Sequence, residues 1–323
     1  MTRKITYLIS FLVFFIALCS TAMAFTIPPD IKKTVTFIFL ADPQGELARD
    51  PQTHAPVANG TGFFVAVKSD KDPSRNFGYL VTAKHVILNA QGTFYPRIYV
   101  RLNKKEGDAE FIPVDLTRDG NSVVSVDSDP TVDVAVIPES LPADKFDFLA
   151  LRDDMLTTET SFKELPVGEG SEVFFAGLFV NYYGEHKNNP IVRFGRVAML
   201  PEDRISWRDD AAKPEKNVRV YLIETQTYGG NSGSPVFFSL SFELVKPGNI
   251  IVAGSPLIKL AGIMMGYFNE PSPIGFLETP TARIPYSRQN IGIAAVTPSY
   301  LLHEILFSAE MKTAREDYVE PSK

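Results

Sequence analysis

Past residue 24 the sequence keeps returning to short runs of β-branched and aromatic residues, each closed off by Gly, Pro, Asn or Asp. Runs of this length and composition suit extended chain and are too short for stable helices, which restricts the fold to an antiparallel all-β protein. The predicted strands are 34–40, 62–67, 79–83, 97–102, 111–116 and 132–137, then 172–178, 191–200, 218–225, 234–239, 259–266 and 291–296. Six lie on each side of a polar, proline-containing crossover at 138–166, and the two sets share no repeat. The expectation is two six-stranded antiparallel β-barrels side by side with a cleft between them: an N-terminal barrel at 25–145 and a C-terminal barrel at 146–300. Leu301, Leu302, Ile305 and Leu306 recur at spacings of three and four, which predicts an amphipathic helix over 298–313 followed by a tail. Polar stretches at 42–59, 117–130, 181–189, 202–217 and 269–289 are long for hairpin loops, and loops of that kind tend to shape binding sites.

Residues 1–24 carry Arg3 and Lys4, an apolar run over 5–18 and the small-residue pattern Ala22-Met23-Ala24. This is the pattern of a secretory signal peptide cleaved after Ala24, and its apolar run is shorter than the roughly 20 residues of a spanning helix. The expected location is therefore periplasmic or secreted, with no stable membrane insertion after cleavage. Cys19, the only cysteine, lies inside this segment behind Leu18, a poor residue for lipoprotein processing. The mature chain then has no disulfide, thiol nucleophile or zinc–thiolate site, and rests on its apolar core. Net charge is −6 with scattered Lys and Arg, which argues against nucleic acid as a partner. The four histidines are isolated from one another and no carboxylate cluster is spaced for a metal, so neither a metal nor a cofactor is expected.

The strongest local signal is Gly229-Gly230-Asn231-Ser232-Gly233-Ser234-Pro235, between two apolar runs. A serine flanked by glycines can sit on a tight turn with its hydroxyl exposed, while the N–H groups of Gly230 and Ser232 converge as an oxyanion hole. The same residue types also make ordinary hairpin turns, so the partners decide. A serine nucleophile needs a base, usually a histidine oriented by a carboxylate. His85 closes the run 79–83, whereas His54 and His186 sit in polar loops and His303 on the terminal helix, where solvated surface roles are simpler. Asp133 opens the apolar run 132–137, and an aspartate is costly to bury there unless hydrogen-bonded. Asp127 and Asp129 lie in a polar turn. An Asp133 that accepts from His85 Nδ1 leaves Nε2 to take the Ser232 proton.

Gly60-Thr61-Gly62-Phe63-Phe64-Val65, Thr82-Ala83-Lys84-His85, Asp133-Val134-Ala135-Val136 and Gly230-Asn231-Ser232-Gly233-Ser234-Pro235, in that order, resemble the chymotrypsin-like serine peptidases. The chain is most similar to their bacterial envelope branch, typified by the high-temperature-requirement proteases: it shares a signal peptide, the lack of disulfides, Asn231, and the segments 167–171 and 292–298. The resemblance covers about residues 34–310. It implies a serine endopeptidase acting on protein or peptide through His85, Asp133 and Ser232, with Gly230 and Ser232 as oxyanion donors. It also implies a primary pocket with Gln226 near its base and Met265, Gly266, Tyr267 and Gly292 along its walls. None of these is acidic, so a small or medium apolar side chain fits better than Lys or Arg. Ser234 departs from the family's usual glycine. Asn231 replaces the aspartate that pairs with a freed N-terminus in zymogen-type members, and no PDZ module is expected after the terminal helix. The alternative is a non-catalytic or gated peptide-binding relative of the same fold. An α/β-hydrolase esterase fits poorly, because Ser234 breaks Gly-x-Ser-x-Gly and only His303 follows Ser232.

Overall fold

In a computed structural model of the chain, residues 26–200, 203–208, 214–240, 257–273 and 286–317 are described. Residues 1–24, where a signal segment is expected, lie outside them. Two compact units are present, Met1–Ile31 and Lys32–Lys323. Of the first, the described residues 26–31 include one turn in which the Ile31 N–H donates to the Pro28 carbonyl at 3.0 Å. The second holds everything that follows.

Its first half contains β1 (Val35–Leu40), β2 (Ala58–Lys68), β3 (Asn76–Thr82), β4 (Arg97–Leu102), β5 (Glu110–Asp115), β6 (Thr117–Arg118), β7 (Asn121–Ser122), β8 (Ser125–Val126), β9 (Ala135–Pro138) and β10 (Ala150–Arg152). All but β6 and β7 form one sheet in the order β5-β4-β1-β2-β3-β9-β8, with β10 parallel to β2. This half-barrel, open on one side where the sequence reading expects closure, is the first barrel of the expected two-barrel all-β fold. The chain between β5 and β9 is spent on a separate β6–β7 hairpin, turned by Asp119 and Gly120 at φ of 52° and 79°, and β8 then extends β9 instead of returning to β5. Apart from Thr36, β1 is apolar throughout, because both of its faces are buried. Phe37 and Phe39 pack with Tyr99 and with Leu178 of the second half, and Ile38 between them is equally inaccessible to solvent.

The second half contains β11 (Glu172–Gly177), β12 (Ile191–Met199), β13 (Ile205–Trp207), β14 (Lys216–Val218), β15 (Tyr221–Glu224), β16 (Pro235–Leu240), β17 (Leu257–Pro273) and β18 (Tyr286–Pro298). Six of them close the expected barrel, β11-β12-β15-β18-β17-β16, around Phe175, Tyr221, Ile223, Val236, Phe238 and Met264. Each fully buried side chain of this size contributes roughly 1.5 to 3 kcal/mol of transfer free energy. β13 and β14 pair antiparallel, Ile205 with Val218, where the sequence reading expects only loop over 202–217. The terminal helix is two: Ser299–Leu306 and Ala309–Glu316. Ser308 separates them because its Oγ accepts the Met311 N–H at 3.3 Å and starts a new helix. A short helix, Glu159–Glu164, is capped by Thr158 and Ser161 in the crossover. No described helix is long and apolar enough to cross a membrane.

Candidate active site

Thr82 pairs with Ala135, so β3 and β9 bring their neighbouring segments to the same end of the sheet. His85 follows β3 on a one-turn 3₁₀ helix, Lys84–Ile87. Asp133 precedes β9 rather than opening a strand, a correction to the sequence reading: no ladder runs through it, and its carboxylate is free to turn toward His85. Asp133 Oδ1 accepts the His85 backbone N–H at 2.9 Å, and Oδ2 lies 2.6 Å from His85 Nδ1. The Asp133 side chain is 6% exposed and the His85 ring 45%. Burial opposes ionisation of this carboxyl, but the His85 charge, its ring and backbone hydrogen bonds and the Lys216 ammonium outweigh that and hold Asp133 below the ordinary aspartate value. A carboxylate accepts only, so the Nδ1 proton belongs to histidine and Nε2 is left as the acceptor. Lys84, its pKa lowered mainly by burial, donates to the Pro130 carbonyl at 2.8 Å and braces the aspartate segment.

That segment is held from the second half as well. Asp129 Oδ1 accepts from Thr131 Oγ1 at 2.6 Å, and its Oδ2 pairs with Arg204 Nη2 at 2.7 Å. The Thr131 hydroxyl bond, helped by Arg204, lowers the Asp129 pKa to about 2. A depressed carboxylate stabilises the fold above its unfolded pKa and ceases to do so as pH falls through the folded one. Asp129→Asn is expected to lower the melting temperature by about 2 °C near neutrality, the shift for on the order of 1 kcal/mol in a chain of this size. The gap should close between about pH 4 and pH 2. Thermal melts of both proteins across that range check it, and a gap undiminished at the acid end contradicts it.

The serine turn connects β15 to β16. Gly230 and Gly233 have φ of 92° and 85°, where side chains are strained, and at Gly233 a Cβ would run into the Thr61 carbonyl oxygen. Asn231, 1% exposed, uses both ends of its amide: Oδ1 accepts the Tyr228 N–H inside the turn at 3.0 Å, and Nδ2 donates to the Leu178 carbonyl just after β11 at 2.8 Å. A neutral residue thereby satisfies the turn without an ion pair. The N–H groups of Gly230 and Ser232 donate to none of the described residues. Ser232 Oγ donates to the Met265 carbonyl at 3.3 Å. Ser234 is fully buried, and its hydroxyl fills the space that a Cβ at Gly177 would need, which is how the turn takes a serine for a glycine.

Thr61 ties this turn to the first half. Its N–H donates to the Ser232 carbonyl at 2.9 Å, and its Oγ1 donates to the Gly230 carbonyl at 2.8 Å while accepting the Leu178 N–H at 2.9 Å. Its own carbonyl accepts from Thr82 Oγ1 at 2.7 Å, at the strand end that leads to His85. Of the expected pocket residues, Met265, Gly266 and Tyr267 run along β17, and Gln226 follows β15. The Gln226 amide lies 3.8 Å from the Cβ position of Gly292 on β18, which pairs with both β15 and β17, so these residues belong to three adjacent strands or their ends. Asn290 closes this group, donating to the Thr227 carbonyl at 2.7 Å and accepting the Gly292 N–H at 2.8 Å.

The profile of the trypsin-like peptidase domain matches residues 60–245, more than half of the chain and a span that includes His85, Asp133 and Ser232. The chain belongs to the trypsin-like peptidase family. The match is to the family as a whole and does not single out its envelope branch. Among solved structures this trypsin-like peptidase is similar to the M. tuberculosis protease Rv3671c in its active form, at 16% identity over 94% of this chain and 97% of the other, with a TM-score of 0.42. It is also similar to human heparin binding protein, at 10% identity over 92% and 98%, with a TM-score of 0.44. No curated protein matches the sequence.

Thr61, Leu178 and Asn290 are the residues of the candidate site that sequence reasoning missed as contributors. Thr61 stands inside the quoted Gly-Thr-Gly-Phe segment, so its position was visible and its bonds were not. Leu178 and Asn290 act through a backbone carbonyl and an amide, which leave no motif.

Proposed function

We propose that the chain is an exported serine endopeptidase whose catalytic triad is His85, Asp133 and Ser232. The observation that carries this reading is the two-point grip of the buried Asp133 on His85, through backbone N–H and ring Nδ1 together. A carboxylate bonded only to the ring could orient it loosely; one anchored at two points fixes both tautomer and ring plane.

Ser232 Oγ attacks the scissile carbonyl carbon and its proton passes to His85 Nε2. The carbonyl oxygen becomes an oxyanion held by the Gly230 and Ser232 N–H groups, each such donor being worth roughly 3 kcal/mol. Collapse expels the amine, which takes the proton from His85. Water then attacks the acyl-enzyme with His85 again as base, releasing the carboxylic acid and free serine. At rest the Ser232 hydroxyl is bonded to the Met265 carbonyl. A substrate backbone N–H aligned along β17 competes for that carbonyl and releases the hydroxyl toward His85. No step calls on a cofactor.

The pocket at Gln226, Met265, Gly266, Tyr267 and Gly292 has no carboxylate among these residues, so a small or medium apolar side chain is the preferred neighbour of the scissile bond. A panel of internally quenched peptides varied at that position tests the reading. Cleavage within the peptides after Ala or Val, at least tenfold faster than after Arg, is expected; preference for Arg overturns the pocket assignment. Activity should also fall toward acid within roughly pH 5 to 8, where histidine changes charge.

A further inference from the structure

We propose that Arg101 is a positioning residue for the oxyanion turn: from β4 its guanidinium pins the 179–189 loop, and that loop backs Gly230. The inference rests on the peptidase reading for its functional meaning, though its geometry stands apart from it. Arg101 is 3% exposed. A guanidinium so deeply buried is costly unless its donors are met. Its two Nη groups are met by one loop alone, at Asn188 Oδ1 at 3.1 Å, the Glu185 carbonyl at 2.8 Å and the Tyr183 carbonyl at 3.5 Å, while Nε has no partner among the described residues. The Phe111 and Tyr183 rings flank it at 5.7 and 5.2 Å.

Asn188 answers in kind. Its Nδ2 donates to the Arg101 carbonyl, and its N–H donates to Asn103 Oδ1 at 2.6 Å. The Ala109 N–H reaches the His186 carbonyl at 2.6 Å, and Lys187 Nζ the Lys104 carbonyl at 3.3 Å. The 179–189 loop contains no helix or strand, so these bonds to the β4–β5 hairpin define its path. Where it leaves β11, the loop lies against the serine turn. Leu178 accepts from Asn231, and the side chains of Val180 and Leu178 stand 2.7 and 3.1 Å from where a Cβ at Gly230 would be. Loss of the pin therefore removes the wall behind Gly230 and loosens the carbonyl that holds Asn231.

A merely structural bond between the halves would lower stability and leave the turn alone. Hydrogen exchange on the full chain separates the two roles, read at the amides of Asn231, Gly233 and Ser234, which are bonded to the Tyr228, Met264 and Asn231 carbonyls. In Arg101→Met, and in Asn188→Ala should the first variant fail to fold, exchange is expected to quicken about tenfold both in the 179–189 loop and at these turn amides, with 133–138 unchanged. Fluorophosphonate labelling per folded molecule should slow by about ten- to a hundredfold. Arg101→Lys, which keeps the charge but not the planar fork, should fall between. Faster exchange confined to 179–189, with turn amides at the wild-type rate, overturns the proposal. If the turn amides respond but the wild type does not label, the pin stands and the peptidase reading fails. If the wild type labels and the turn amides do not respond, the reverse holds.

Discussion

Ser232→Ala is expected to lower turnover of a good peptide substrate by about six orders of magnitude, the loss found when the nucleophile of a concerted serine–histidine unit is removed. Some acceleration over water remains, because the Gly230 and Ser232 N–H groups still face the substrate carbonyl. Steady-state hydrolysis with the variant at high concentration measures it, with melting temperature as the control. Only one oxygen is removed, and its bond is a single one to the Met265 carbonyl, so the fold should melt within a degree or two of wild type. His85→Ala should cost as much, and the double variant no more than either alone, since the two act as a unit.

Asp133→Asn is expected to cost about 10⁴-fold in turnover, with the fold intact. The direction follows from the geometry around His85. Its backbone N–H donates to Asp133 Oδ1, so an asparagine must keep its carbonyl oxygen there and turn its NH₂ toward Nδ1. Facing a donor, Nδ1 becomes the acceptor, the ring proton moves to Nε2, and the base is lost. Pre-steady-state kinetics should place the loss in acylation. A variant within tenfold of wild type would remove Asp133 from the mechanism.

The closed second barrel was legible because its strands are short runs rich in β-branched and aromatic residues between Gly, Pro and Asn breaks. The open side of the first barrel was not. Whether β5 closes on β9 depends on where the short hairpin at Thr117–Ser122 sends the chain, and that is settled by two positive-φ residues rather than by any periodicity. His85, Asp133 and Ser232 stood out as polar residues at strand ends and turns. Asp133 sits just outside its strand, a difference too small for apolar patterning to resolve. The bonds that assemble the site were hidden, because they link segments far apart in the sequence. Thr61 reaches Gly230 across 169 positions and Arg101 reaches Asn188 across 87. No local pattern encodes contacts at such separations; they exist only once β1, β2 and β4 have placed their ends.

The measurement that bears most directly on the triad is covalent labelling by a fluorophosphonate, read by intact mass on wild type, Ser232→Ala and His85→Ala. The account predicts one adduct on wild type and none on either variant over the same time, because the phosphorus is attacked only by a serine whose proton His85 removes. Wild-type protein that takes up no adduct, or an adduct that persists in Ser232→Ala, would contradict it.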